Sequence, residues 1–381
     1  MNLLFVSVAL NIHQVNIADE LYRLTNGGFH FIETGDASGE HGKGGGDFSS
    51  RPYLVRVGES KVQERKALQL IRDADVMIYG AAPLRYLKER VKTGKLTFLY
   101  SERWLKRGWK NLLSPRLLQQ QWFYHTRCHH KPVYALCASA YAASDFAKMF
   151  SFKNRCYKWG YFTAVPQLDI ESAINAKSNA STAKILWVAR FLQWKHPERM
   201  LQLASLLRKA GNYDFVVEMI GTGPEYDHIA NQIKEQGLED YVRLLGAMPN
   251  EAVLQKMRES HIFCFTSDRN EGWGAVLGEA MSNGCCPVSS VETGSTPYLI
   301  NDGVNGLRFN LNQPNDLCKK VLWLLLHPEQ RNQMSLEAYK TMRDVWSPQN
   351  AAARLLQLCE SLHNGTAPEI TDGPCSKAEI I

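Results

Sequence analysis

The chain has 381 residues, of which 45% are hydrophobic, with 44 Lys+Arg against 38 Asp+Glu. That length exceeds one small core and points to two or three domains. The balance excludes disordered, collagen-like and disulfide-framework chains, and no apolar run approaches the ~18 residues of a membrane-spanning helix. The first element is Leu3–Leu10, apolar, with no basic residue before it and no small-residue cleavage site after it, so it reads as a buried strand and not a signal peptide. A loop with His13 follows, then a helix over Asn16–Leu24 and a strand over Phe29–Ile32. Gly39–Gly46 holds five glycines and reads as a mobile loop. Val62–Ile71 reads as a helix, and Val76–Tyr79 and Leu96–Tyr100 as strands. This alternation argues for a parallel sheet covered by helices.

Residues 166–183 are small and polar and read as a linker. The alternation then restarts. Strands are expected at Lys184–Ala189, Phe215–Ile220, Val242–Leu245, His261–Phe265 and Pro287–Ser290. Helices are expected at Arg199–Ala210, Tyr226–Glu235, Glu251–Arg258 and Ala275–Ser282. Two doubly wound α/β halves result: an N-terminal domain over 1–165 and a C-terminal domain from 184 to 345. Residues 364–381 are polar and read as a disordered tail.

Nine cysteines, none in a CxxC, read as reduced, packed thiols. No His/Cys cluster has zinc spacing, and Cys128-His129-His130 reads as surface. Asn179-Ala-Ser and Asn364-Gly-Thr match the glycosylation pattern by chance. Residues 1–170 carry 24 basic and 14 acidic residues and the remainder 20 and 24, so the excess is N-terminal. Twelve basic residues lie between Arg85 and Lys131, interleaved with Tyr86, Phe98, Tyr100, Trp104, Trp109, Trp122, Phe123 and Tyr124. A solvated basic face with its aromatic residues anchored in the core, an anionic membrane surface and nucleic acid compete for this stretch. Nucleic acid ranks last, because no recognition motif accompanies it.

Open parallel sheets bind ligands beyond the carboxyl ends of their strands. Arg190 and Lys195 leave the strand Lys184–Ala189, and two cations there suit a diphosphate. Gly221-Thr-Gly-Pro224 lets the backbone approach a phosphate or sugar closely. The strongest signal is Glu271-Gly-Trp-Gly-Ala-Val-Leu-Gly-Glu279, two carboxylates eight apart across a helix start opened by glycines. Unsatisfied N–H groups there attract an anion or polar sugar, and carboxylates accept from sugar and ribose hydroxyls.

With Ala189-Arg190 and Lys195, Gly221-Thr-Gly-Pro224, Glu271-x7-Glu279, Gly284-Cys-Cys-Pro-Val288 and Asn301-Asp-Gly-Val-Asn-Gly-Leu307 in order, residues 184–309 resemble the retaining glycosyltransferases of family 4. The resemblance implies a GT-B fold, two Rossmann-like domains facing across a cleft, with the acceptor on the first and a nucleotide sugar on the second. It also implies a C-terminal helix over 346–363 returning to the N-terminal domain. Arg190 and Lys195 match the diphosphate pair, Glu271 the residue on the donor sugar, and Gly272, Trp273 and Gly274 the backbone beneath it. Glu279 matches the ribose ligand, Gly221 and Gly223 the border of the donor site, and Leu245–Met248 the base site. The N-terminal domain departs from the pattern. Its first loop, Ala9-Leu-Asn-Ile-His13, lacks glycine, and Tyr100-Ser-Glu102-Arg has no histidine. His13 and Glu102 are placed at the reacting centre, with Glu102 the stronger candidate. The implied reaction moves a hexose-type unit from a nucleoside-diphosphate sugar to a glycan or lipid-linked acceptor. No metal or cofactor is expected, and the location is cytoplasmic, peripheral on the inner membrane face through 85–131. The alternatives are a glycoside hydrolase using Glu271 and Glu279, or a non-catalytic carbohydrate- or lipid-binding module.

Overall fold

The computed structural model describes residues 1–35, 47–106, 108–212 and 214–381. The glycine-rich stretch Gly39–Gly46 lies outside them, as does Arg107. The chain divides into two compact units, Met1–Thr163 with Val345–Ile381, and Ala164–Asp344.

In the first unit the strands are β1 (Leu3–Ser7), β2 (Phe29–Glu33), β3 (Leu54–Arg56), β4 (Val76–Tyr79), β5 (Thr97–Ser101), β6 (Val133–Cys137) and β7 (Cys156–Lys158). Among the described residues they form one parallel sheet, ordered β3-β2-β1-β4-β5-β6-β7. All five side chains of β1 are buried, as expected of a strand covered on both faces. The order reverses direction between β1 and β4, and that switch point is where such a sheet opens a crevice.

The second unit holds β8 (Ala183–Val188), β9 (Phe215–Ile220), β10 (Val242–Gly246), β11 (Ile262–Phe265), β12 (Cys286–Ser290) and β13 (Leu307–Phe309). They too are parallel, ordered β10-β9-β8-β11-β12-β13, with the switch between β8 and β11. The helix Glu198–Lys209 buries Met200, Leu201, Leu203, Ala204 and Leu207 on this sheet. The helix Ala275–Ser282 follows β11 directly.

Three expectations are corrected. Residues 166–183 are not a bare linker: Ile170–Ser178 is a helix, capped by the Asp169 carboxylate and anchored by buried Ile170 and Ile174 against Tyr339. Alternate small and polar residues hid the two isoleucines that decide it. The stretch 364–381 is not a disordered tail. Cys375 and Ser376 are buried, Tyr157 and Lys377 pair antiparallel, and the Cys375 N–H donates to the Lys158 carbonyl at 2.7 Å. The exposed edge of β7 supplies the partners that the tail's own composition lacks.

The third correction concerns the basic stretch. Arg90 is fully buried, and its guanidinium donates to the carbonyls of Ile71, Ala74, Asp75 and Leu96 at 2.6–3.0 Å. Tyr86, Phe98, Phe123 and Tyr124 are core residues, as the solvated-face reading expects. What remains exposed is narrower: Leu118 and Trp122, one turn apart on the helix Pro115–Phe123, and Phe150 nearby, since Gln121 donates to the Met149 carbonyl at 3.1 Å. No helix among the described residues is long and apolar enough to cross a membrane.

Candidate functional site

The second unit's site grows from the two strands that flank its switch point. After β8 the chain runs through Arg190, which is exposed, into a single turn Gln193–Lys195. After β11 it runs through Thr266 to Gly274. Hydrogen bonds lock the two exits together. The Trp187 indole donates to Thr266 Oγ1 at 2.8 Å, Thr266 Oγ1 donates to the Lys195 carbonyl at 2.6 Å, and the Asp268 N–H donates to the Trp194 carbonyl at 3.0 Å.

The clamp brings the Lys195 ammonium onto the Glu271 carboxylate, each side chain only 13% exposed. Lys195 Nζ also lies 4.3 Å from the centre of the Trp194 ring, a cation–π contact. His196, next in the chain, is in the left-handed region at φ 52°, a conformation that a non-glycine residue holds only when its surroundings enforce it. Its ring bridges Glu198 at 2.9 Å and Asp268 at 3.5 Å, and the Glu198 hydrogen bond, opposed by burial, raises its pKa. Trp194, His196, Thr266 and Asp268 were not identified from sequence; the signal was present in their positions just beyond strand ends.

Gly274 ends the loop at φ 88°, directly before the helix Ala275–Ser282. A Cβ there would stand 2.8 Å from Phe265 Cε1, closer still to Cζ, and 3.2 Å from Glu271 Cγ. Glycine thus lets the helix N-terminus close over Phe265 and beside Glu271. Gly272 and Trp273 are buried, and the Trp273 indole packs into the core near Tyr298, so only backbone of this segment is available to a ligand. Glu279 lies within the same helix, and burial raises its carboxyl pKa.

The turn after β9 borders the same exits. Gly221, at φ 132°, packs so close to Ala189 that a Cβ would collide with its carbonyl oxygen. The Phe191 N–H donates to the Thr222 carbonyl at 2.9 Å, and Gly223 accepts from the Tyr226 N–H at 3.0 Å. Gly221 in turn donates to the Gly246 carbonyl at 2.8 Å, which sets Leu245–Met248 beside it. Structure therefore gathers Lys195, Glu271, Gly272–Gly274, Gly221 and Gly223 around the end of one sheet, with Arg190 on the strand exit.

Glu102 and His13 belong to the other unit, where they share a cavity of ≈ 730 Å³ beyond the ends of β1, β4 and β5, at that sheet's switch point. Glu102 accepts from Tyr161 Oη at 2.6 Å and pairs with the Lys106 ammonium. Tyr161 stacks on the His13 ring, centroids 5.5 Å apart and planes 9° from parallel. Burial lowers the His13 pKa, and its Nδ1 has no hydrogen-bond partner. Tyr161, the link between the two, carried no motif and was not identified from sequence. Cys128 is buried while His129 and His130 are exposed. Among the described residues no group of three His, Cys, Asp or Glu could hold a metal ion.

Two Rossmann-like parallel sheets, each with its residues of interest at the switch point, define the GT-B class of fold. Solved structures share it: that of Anabaena HepE in complex with UDP matches with a TM-score of 0.67 at 14% identity, covering 96% of this chain and all of that one. Residues 170–341 match the family described as Glycosyl transferases group 1. An uncharacterized glycosyltransferase of Methanocaldococcus jannaschii is 35% identical over 119 residues, 31% of this chain and 33% of that one. The D-inositol 3-phosphate glycosyltransferase of Corynebacterium kroppenstedtii is 29% identical over 139 residues, 35% of this chain and 30% of that one. The chain thus spans about a third of the length of these curated relatives.

Proposed function

We propose that the protein is a retaining glycosyltransferase, moving a glycosyl unit from a nucleoside-diphosphate sugar to an acceptor hydroxyl in polysaccharide or glycolipid assembly. The observation that carries this reading is the Lys195–Glu271 pair beside a glycine-opened helix N-terminus at the β8/β11 switch point. In the reaction the bond from the anomeric carbon to the diphosphate breaks, the acceptor oxygen bonds that carbon, and the acceptor's proton passes to the leaving diphosphate oxygen. Lys195, Arg190 and the helix N-terminus stabilise the charge that grows on the leaving diphosphate. Glu271 accepts from hydroxyls of the glycosyl ring, Glu279 from the ribose, and Leu245–Met248 flank the base. Glu102 and His13 serve the acceptor. The residues supply a positive field, and we assign no metal.

Nucleoside diphosphate release in the presence of donor and acceptor tests the reading. Lys195→Ala and Glu271→Ala should each lower turnover by about 10²-fold with the far-ultraviolet circular dichroism unchanged. Full activity in both variants rejects the site, and sugar release without nucleoside diphosphate identifies a hydrolase instead.

We further assign the protein to the cytoplasmic membrane face. Support comes from exposed Leu118, Trp122 and Phe150 beside exposed Arg127, Lys131, Lys148 and Lys153, the pairing of apolar anchors and cations that suits anionic headgroups. Vesicles containing phosphatidylglycerol should co-sediment the protein in a salt-sensitive manner. Equal sedimentation with phosphatidylcholine alone counts against this location.

A further inference from the structure

We propose that His196 is a positioning residue for the nucleotide: as an imidazolium it ties the exit of β8 to the exit of β11, and a nucleoside diphosphate binds more tightly to the protein in that protonation state. The inference rests on the transferase reading for the nature of the ligand, and on the geometry around His196 for the rest.

The backbone marks the residue first. His196 follows Lys195 directly and holds φ 52°, in the left-handed region that a non-glycine residue leaves unless its surroundings hold it there. Both neighbouring peptide groups are pinned. The Lys195 carbonyl accepts from Thr266 Oγ1 at 2.6 Å, and the His196 N–H donates to the Gln193 carbonyl at 3.1 Å. Glycine would adopt this turn without strain, so a histidine here is accounted for by its ring and not by its backbone.

The ring lies between two carboxylates on two different elements. Nδ1 is 2.9 Å from Glu198 Oε1, at the start of the helix Glu198–Lys209, and Nε2 is 3.5 Å from Asp268 Oδ2, in the loop after β11. A neutral imidazole has one N–H and one lone pair, so it donates to one carboxylate and turns its lone pair on the other. The geometry therefore selects the imidazolium, which presents an N–H to both. Arg199 opposes that charge, its Nε 4.0 Å from the same Glu198 oxygen. The Glu198 hydrogen bond, helped by the charges of Glu198 and Asp268, outweighs burial and Arg199 and raises the ring's pKa.

Asp268 carries the effect to the site. Its N–H donates to the Trp194 carbonyl at 3.0 Å, and its own carbonyl accepts from the Glu271 N–H at 3.0 Å. Its Oδ1 accepts from the Asn270 N–H at 2.8 Å, which leaves Oδ2 to His196. When the ring loses its proton, Nδ1–H stays on Glu198, the shorter contact, and the Asp268 arm is released. The turn that presents Glu271 then loses a tether. The local charge changes as well. His196, Glu198 and Asp268 together carry one negative charge with the imidazolium and two without it, beside a site assigned to a diphosphate. Both effects weaken anion binding as pH rises through the titration of the ring.

Calorimetric titration of the full chain with UDP and with GDP tests this, between about pH 7 and about pH 9, where the nucleotide phosphates stay ionised. Affinity for the nucleotide that binds should fall about fivefold across that range. Binding should also take up protons, seen as a heat that depends on the ionisation enthalpy of the buffer. His196→Asn tolerates the left-handed backbone but carries no charge. It should bind about fivefold more weakly at about pH 7, with neither the pH slope nor the proton uptake. If that variant does not fold, His196→Gly, free of the backbone strain, makes the same comparison. A histidine with only a structural role would lower affinity equally at every pH and leave the slope in place, and that result overturns the proposal. So does a variant that binds as tightly as the unsubstituted protein at about pH 7. In both cases nucleotide binding itself leaves the transferase reading standing. Binding of neither nucleotide at any pH removes that reading, and the present inference with it.

Discussion

Replacing Gly274 with alanine adds one methyl group at the point where the loop after β11 becomes a helix. Two separable effects follow. The backbone sits at φ 88°, where an L side chain is strained by about 1–2 kcal/mol. The new Cβ also enters the space of Phe265, at 2.8 Å from Cε1 and closer to Cζ, and Phe265 is 2% exposed and cannot swing outward freely. Overpacking of this kind costs about 1–3 kcal/mol. Gly303 provides the control: its φ is 80°, and nothing lies within 4 Å of a Cβ built on it. Gly303→Ala should therefore show the strain alone, and Gly274→Ala should exceed it by about 1–3 kcal/mol in urea denaturation followed by tryptophan fluorescence. Because Glu271 Cγ stands 3.2 Å from the same added carbon, relief of the clash moves Glu271 off Lys195. Calorimetric titration with UDP and with a UDP-sugar should then show Gly274→Ala weakened and Gly303→Ala unchanged. Equal destabilisation of the two variants, with equal nucleotide affinity, would refute the claim that Phe265 and Gly274 together shape the helix entrance.

The remaining predictions concern stability. His261 uses both ring nitrogens, Nδ1 accepting from the Lys184 N–H at 3.0 Å and Nε2 donating to the Lys177 carbonyl at 2.8 Å, and burial pulls its pKa down to about 4. Between that value and the ordinary 6.5 the unfolded chain binds the extra proton, so stability should fall by about 3 kcal/mol as pH drops through this window. His261→Gln should flatten that part of the stability-against-pH curve, and parallel curves for the two proteins would contradict it. Deleting residues 375–381 removes the pairing with β7, buried Cys375 and the Lys377–Tyr157 contact. The truncated chain should lose about 2–4 kcal/mol of stability and aggregate through the bared strand edge; an unchanged melting temperature would show the docking to be incidental.

Much of the second unit was legible because its elements carry strong local signals. β9, the helix Tyr226–Glu235 and the helix Ala275–Ser282 have the bounds expected from periodicity and from punctuation by glycine and asparagine. Elements with weaker signals were missed, among them the short β3 and β7 and the helices Leu84–Lys92 and Ala142–Lys148. Their apolar residues are few and are recruited by neighbours distant in sequence, as β7 is by β6. The candidate site divides in the same way. Lys195, Glu271 and the glycines stand in contiguous motifs, whereas Thr266, Asp268 and His196 act only once two strand exits lie side by side.

The sequence by itself determined the alternation of strand and helix, and hence two parallel sheets, because period and punctuation are local properties of the chain. It also determined which residues follow which strand. Tertiary structure alone decided that Arg90 is consumed inside the first unit, that Tyr161 joins His13 to Glu102, and that residues 375–378 complete a sheet edge. The physical reason is that a charge or a polar strand has no fixed meaning along the chain. Whether it meets solvent, a carboxylate or a row of carbonyls depends on which distant segment folding brings to it.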